Sequence, residues 1–176
     1  MENHFKFKVI DNFLDKKEFV ELQSIMMGNQ FPWYYNSHKI SAQENNSSLY
    51  NFQFAHKFYD NYGPTSDLIS ILEPLINKIN PSSIVRIKAN MNPSTPDILE
   101  YGYHTDFDST PSLITSVFYI NTNNGSTVFE DGQKVDSVEN RLVMFDSRIK
   151  HTGTSCTNEK TRCVINLNYY SWENEI

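Results

Sequence analysis

The spacing of hydrophobic positions changes once along this chain, near Pro81. Before that point two stretches follow a helical period. Phe19, Leu22, Ile25 and Met26 share one face of residues 15–27, and Leu68, Ile71, Leu72, Leu75 and Ile79 share one face of residues 66–79. Asp15 with Glu18 three residues on has capping-box spacing, Ser66 is a candidate N-cap, and Pro74 predicts a bend or interruption. A short strand is expected at 7–10. FPWYYN (31–36) and LYNFQFAHKFYD (49–60) read as strands from their aromatic, alternating character.

After Pro81 the chain breaks into short strands separated by polar turns: SSIVRIKANM, LEYGYHTDF, PSLITSVFYIN, STVFE, QKVDSV, RLVMFD, HTGTSC and TRCVINLNYY. NTNNG and EDGQ sit where hairpins would reverse. So many strands in so short a stretch predict a mainly β fold, a sandwich or jelly roll, with the N-terminal helices packed outside one sheet. No linker, repeat or low-complexity block marks a second unit. A single domain over 1–176 is expected, with 1–82 supporting a core at 83–172.

Composition narrows the function classes. A chain of 176 residues with 39% hydrophobic and 14% aromatic residues can bury one sizeable core. The formal net charge of -6 repels a phosphate backbone, which makes nucleic acid a disfavoured partner, although Arg86, Lys88, Arg148 and Lys150 could form a local basic patch. Two cysteines, Cys156 and Cys163, are too few for a disulfide framework and read as reduced thiols. No stretch approaches a membrane span and MENHFKFKVIDNF lacks a signal-peptide core, so the chain reads as cytoplasmic and without a membrane partner. Neither a heptad nor a self-complementary patch indicates an oligomeric state.

The chemistry begins at His104-Thr105-Asp106, at the end of an expected strand. In extended backbone, side chains two apart point the same way, so an imidazole and a carboxylate aim at one place. His151, opening a later strand, supplies a possible third ligand. Two histidines and one carboxylate on one face of an octahedral ion leave the opposite face open, the arrangement of non-haem Fe(II) oxygenases. An H-x-D triplet alone is a common turn sequence. His4, His38 and His56 read as structural, near a terminus, in a polar loop and beside Phe52, Phe54 and Phe58 respectively.

The final strand adds weight. Alternation in TRCVINLNYY sets Arg162, Val164, Asn166 and Asn168 on one face and Cys163, Ile165, Leu167 and Tyr169 on the other. The first face is polar for a central strand, as a wet pocket requires, and a guanidinium there can grip a carboxylate through two parallel hydrogen bonds. Tyr119, on the Leu113, Thr115, Val117 face, could donate to the same carboxylate.

Taken in order, HTDF, SVFYIN, NNGSTVFEDG, NRLVMFDSRIKHTG and TRCVINLNYY resemble the 2-oxoglutarate/Fe(II)-dependent dioxygenases, specifically the prolyl-hydroxylase-like branch in its compact bacterial and phage form, over about residues 83–172. The resemblance implies a double-stranded β-helix with metal ligands His104, Asp106 and His151. It implies catalysis by those three with Arg162, and 2-oxoglutarate bound by Arg162 with help from Tyr119. Fe(II), 2-oxoglutarate and O₂ follow, with ascorbate as a further candidate. Tyr101 matches a substrate-facing tyrosine and Arg148 a rim position. The carboxylate at Asp106 favours hydroxylation over halogenation, whose enzymes lack it. The implied reaction is hydroxylation of a C–H bond, a prolyl residue in a peptide or protein being the lead. A free amino acid or other small molecule, a nucleic-acid demethylase and a non-catalytic jelly-roll module are the alternatives. The chain departs from the branch in carrying Asn168 where a tryptophan is frequent and Asn124-Gly125 in place of a glycine pair. The segment 92–103 could be a mobile lid, and 31–48 the loop that reads substrate.

Overall fold

The computed structural model describes residues 7–39, 49–108, 110 and 112–172. The strands form two sheets, whose central strands are buried on both faces. The larger carries eight strands. β1 (Phe7–Ile10) pairs with β9 (Leu142–Asp146), which pairs with β6 (Leu113–Tyr119), then β11 (Thr161–Tyr170), β5 (Ser83–Pro93), β3 (Gln53–Asp60) and β2 (Tyr34–Asn36), while β4 (Gly63–Pro64) pairs with β3. The smaller has three, with β7 (Ser126–Phe129) between β10 (His151–Gly153) and β8 (Lys134–Asp136). Every named pairing is antiparallel. The arrangement is the jelly roll that the strand pattern predicts.

Each face of the larger sheet has its own core. On one side Phe19, Leu22 and Met26 of α1 (Lys16–Met26) and Leu75 and Ile79 of α2 (Glu73–Ile79) pack with Phe58, Ile87, Phe118, Ile165 and Leu167. On the other, Phe129 and Val135 of the smaller sheet meet Val117, Tyr119, Val143, Phe145 and Val164. Because β11 contributes to both, its odd and even positions are fixed by burial on two sides, and a one-residue slip would exchange Arg162 with Cys163. Cys156 and Cys163 are buried free thiols, and burial pushes the Cys163 thiol up to about 12.

Several local expectations are corrected. Asp15 sits at the N-cap of α1 but makes no side-chain cap bond, and Ile25 is exposed because the buried stripe is narrower than the periodic one. Ser66 does cap, accepting from the Leu68 N–H, yet residues 67–72 form a 3-10 helix and α2 starts afresh with Pro74 in its first turn, where a missing N–H leaves no bond unmade. LEYGYHTDF is no regular strand: its ladder pairing is limited to the isolated bridges Glu100 with Thr154 and His104 with His151, and single hydrogen bonds to Ser147, Thr152 and Ser155 hold the rest. NTNNG closes no hairpin. It carries the chain from β6 in one sheet to β7 in the other, whereas the turn at Gly132, with φ at 85°, does close the β7–β8 hairpin. No helix among the described residues is long and apolar enough to cross a membrane.

Candidate active site

Register places the functional side chains in rungs. Across β5, β11 and β6, Asn92 lies beside Arg162, Asn90 beside Val164 and Tyr119, Lys88 beside Asn166 and Val117, and Arg86 beside Asn168 and Thr115. The smaller sheet and the 101–106 segment stand over these rungs and enclose a cavity of about 400 Å³. Tyr101, His104, Asp106, Thr127, His151 and Arg162 all line it.

His104, Asp106 and His151 each offer one ligand atom, and the three atoms lie within 4.8 Å of one another. Their meeting has a backbone cause. The His104 N–H donates to the His151 carbonyl at 3.0 Å and the His151 N–H returns the bond at 2.9 Å, which sets the imidazole ring centroids 4.7 Å apart. The Asp106 N–H donates to the Ser147 carbonyl, turning the carboxylate inward. His104 and Asp106 thus converge through a bridge and a bend rather than through strand alternation.

The protonation states suit a metal. Burial pulls the His151 pKa below the ordinary imidazole value, against the opposing pull of Asp106, which favours the neutral ring. His151 Nδ1 bonds the Ile149 carbonyl at 3.0 Å as donor, which leaves Nε2 as the free lone pair. Burial works against the charge on Asp106, but the Arg86 guanidinium, the Asn168 hydrogen bond and whatever charge the neighbouring imidazoles carry outweigh it and hold the carboxyl below its usual range. Arg86 donates to one carboxylate oxygen, and Thr115 and Asn168 to the other, each at 2.9 Å. Arg86 also donates to the Asn168 carboxamide oxygen at 2.9 Å. His104 Nδ1 is buried with no hydrogen-bond partner among the described residues. One carboxylate and two imidazoles so arranged fit a divalent first-row ion and leave coordination positions open.

At the other end of the cavity Arg162 is 2% exposed. Its guanidinium donates to the Ser137 hydroxyl at 2.8 Å and the Thr127 hydroxyl at 3.2 Å, and no carboxylate among the described residues lies within 4.0 Å of it. Two glycines make room. A Cβ on Gly125 would stand 2.8 Å from the Arg162 Cδ, and one on Gly153 would stand 3.2 Å from its terminal nitrogen. Asn124-Gly125 therefore keeps a glycine where the arginine passes. The Tyr119 hydroxyl is buried and donates to Thr127 Oγ1 at 2.8 Å. Thr127 Oγ1 thus accepts from both Tyr119 and Arg162, so its own proton remains to be donated, and Thr127 faces the cavity. Tyr119 does not itself line the cavity; it reaches the site through Thr127.

Tyr101 lines the cavity under the Lys39 ammonium, 3.5 Å from the ring centroid. Arg148 is exposed, pairs with Asp146 and does not line the cavity. The basic patch is divided: Arg86 and Lys88 line the cavity, while Arg148 and Lys150 pair outside it with Asp146 and Glu130. His56 bonds Pro32 and Ser66, His38 bonds Ser37, and His4 lies outside the described residues. The 92–103 segment is tied down by hydrogen bonds from Thr95 to Cys156 and between Leu99 and Ser155. Lys39 and Thr127 are the residues that sequence reasoning misses. Arg86, Lys88, Asn90 and Asn92 carried a signal, since they alternate with Ile87, Ala89 and Met91 as the polar face of β5.

No family model and no curated relative matches the sequence. Solved structures match over nearly the whole chain. A prolyl hydroxylase from Trichoplax adhaerens, in complex with a hypoxia inducible factor peptide fragment, is 20% identical with a TM-score of 0.62, over 98% of this chain and 86% of that one. An oxidoreductase of the 2OG-Fe(II) oxygenase family from Burkholderia pseudomallei is 11% identical, TM-score 0.64, over 93% and 84%. HygX from Streptomyces hygroscopicus, with nickel, 2-oxoglutarate and hygromycin B bound, is 9% identical, TM-score 0.61, over 96% and 84%. At these identities the likeness is one of fold. The chain accordingly has the jelly-roll fold of the 2-oxoglutarate/Fe(II) oxygenases, prolyl hydroxylases among them.

Proposed function

We propose that this protein is an Fe(II)- and 2-oxoglutarate-dependent hydroxylase. The observation that carries this is a single cavity with an imidazole–carboxylate–imidazole cluster at one end and, at the other, a buried guanidinium that no carboxylate among the described residues neutralises. A buried arginine with only hydroxyl partners is a costly arrangement for a purely structural residue, and a bound dicarboxylate removes the cost.

His104, Asp106 and His151 hold the iron, with Arg86, Thr115 and Asn168 fixing the carboxylate. Arg162 and the Thr127 hydroxyl bind the distal carboxylate of 2-oxoglutarate. Tyr119 keeps Thr127 turned so that its proton faces the ligand, and Lys39 adds positive charge at that end. When bound, Fe(II) with O₂ supplies the oxidative chemistry by which 2-oxoglutarate becomes succinate and CO₂ while a substrate C–H becomes C–OH. The polypeptide orients both organic molecules and keeps bulk water away.

A prolyl residue is the first substrate to test, in keeping with the peptide bound by the Trichoplax neighbour; a free small molecule follows, as in HygX. The division of the basic patch weighs against an extended nucleic-acid strand. The test is succinate release from 2-oxoglutarate with iron, screened over proline-rich peptides, free amino acids and short oligonucleotides. Stimulation by one class supports the reading, and failure to bind 2-oxoglutarate refutes it.

A further inference from the structure

The chain as a whole is acidic, at -6, yet four cationic side chains and one carboxylate line the cavity. A divalent ion and a dicarboxylate cancel one another, so loading the site leaves this excess untouched. Arg86 is paired with Asp106, and Arg162 is already spoken for. Lys39 sits at the Arg162 end, close enough to feel that guanidinium. Lys88 is left over.

Lys88 lies on the third rung, beside Asn166, four residues along β11 from Arg162. On the oxygenase reading both carboxylates of 2-oxoglutarate already have partners, Arg162 at one end and the metal at the other. The charged groups felt by Lys88 are Arg86, Lys57, Asp106 and Asp60, at the metal end. Among the described residues no carboxylate comes within 4.0 Å of its ammonium, and it makes no hydrogen bond. Its cross-strand partner on β3 is Lys57, a like charge directly opposite that destabilises a sheet, and Lys57 turns away to Asp60 at 2.7 Å. Burial, then Arg86 and Lys57, pull the Lys88 pKa down, so the folded protein disfavours this charge until a counter-charge arrives. Beside it the carboxamide oxygens of Asn90 and Asn166 are buried without donors among the described residues. Lys88 also lines a second groove with Tyr34, Tyr35 and Lys57, and so is reachable from outside the cavity.

Resting on the oxygenase reading, we propose that Lys88 is a specificity residue that receives an oxyanion of the substrate, a carboxylate or a phosphate, and that Asn90 and Asn166 accept from the substrate's N–H or O–H groups. An amino acid with a free carboxylate, alone or at the end of a peptide, meets both demands. An internal residue of a neutral peptide meets only the second.

The test uses the whole chain loaded with Mn(II) and 2-oxoglutarate, which reports binding without turnover. Binding of 2-oxoglutarate to wild type is measured first; its absence overturns the oxygenase reading itself. The probes are then the proteinogenic L-amino acids, their carboxamides, and sugar and alcohol phosphate monoesters, read by thermal shift and by succinate release from the Fe(II) form. One set of acids is expected to bind while the matching amides do not. Lys88→Met should weaken that binding by about tenfold to a hundredfold, the worth of a hydrogen bond to a charged group, and Lys88→Arg should keep most of it. Phosphate monoesters binding in place of the acids supports the oxyanion site and names phosphate as its source. Amides binding as well as acids, Lys88→Met binding like wild type, or no probe binding to protein that holds 2-oxoglutarate would each overturn the proposal.

Discussion

Replacing Arg162 with Met separates a ligand-binding arginine from a structural one. The side chain is 2% exposed and donates to the hydroxyls of Ser137 and Thr127. Methionine fills much of the same volume and deletes the charge. Two bonds from the charged guanidinium to hydroxyls contribute about 1.5 to 3 kcal/mol each, which the several kcal/mol cost of desolvating an uncompensated cation offsets. The ligand-free variant should therefore melt no lower than wild type. Ligand binding should change the other way, because truncating one partner of a buried charge pair costs about 2 to 5 kcal/mol, roughly 30-fold to several thousandfold in Kd. Differential scanning fluorimetry with Mn(II) reads both effects. At 2-oxoglutarate a hundredfold above Kd, wild type gains about 2.7 kcal/mol, which for a chain this long is a shift of about 5 to 11 °C. Arg162→Met should show almost none of it. A variant that melts well below wild type yet keeps the full shift would refute the assignment.

Further outcomes follow from the same geometry. Thr127→Val, nearly isosteric, should weaken 2-oxoglutarate about tenfold by isothermal titration through loss of one charge-assisted bond, with little change in metal affinity. Asn168→Ala should lower Fe(II) affinity by about 10- to 100-fold, as loss of a partner behind a metal ligand does, checked by competition with a chelating dye. Burial, with the Arg162 charge nearby, pulls the Lys39 pKa down to about 7. Its charge is present below that pH and lost above it, so the KM for 2-oxoglutarate should rise as pH climbs through 7, and Lys39→Met should flatten the profile. The amides of Leu99 and Ser155, bonded within the structure, should exchange slowly with or without co-substrate; deprotection on removing it would support the lid reading of 92–103.

The sequence was most legible where one rule decided the answer. Alternation in β11 separates Arg162 from Cys163 because both faces of that strand are buried, and the structure keeps that separation. The polar face of β5 obeys the same rule, and Arg86 and Lys88 belong to the cavity for the reason that Arg162 does. Residues placed by non-local bonds were illegible. Nothing near His104 in the chain announces the backbone bridge to His151, and nothing near Asp106 announces Ser147 or Arg86. Asn168 reads as a departure from a family pattern. In three dimensions it ties Arg86, Asp106 and Thr115 together, and a tryptophan there would displace all three. Lys39 sits in an aperiodic loop, and only its position over Tyr101 brings it to the site.

The central claim is that His104, Asp106 and His151 share one divalent ion whose co-substrate reaches Arg162. A crystal grown anaerobically with Fe(II) and 2-oxoglutarate, with anomalous differences collected at the iron edge, tests it most directly. One anomalous peak among those three side chains, with the distal carboxylate on Arg162 and Thr127, is the predicted result. A peak elsewhere, or a dicarboxylate bound away from Arg162, would contradict it.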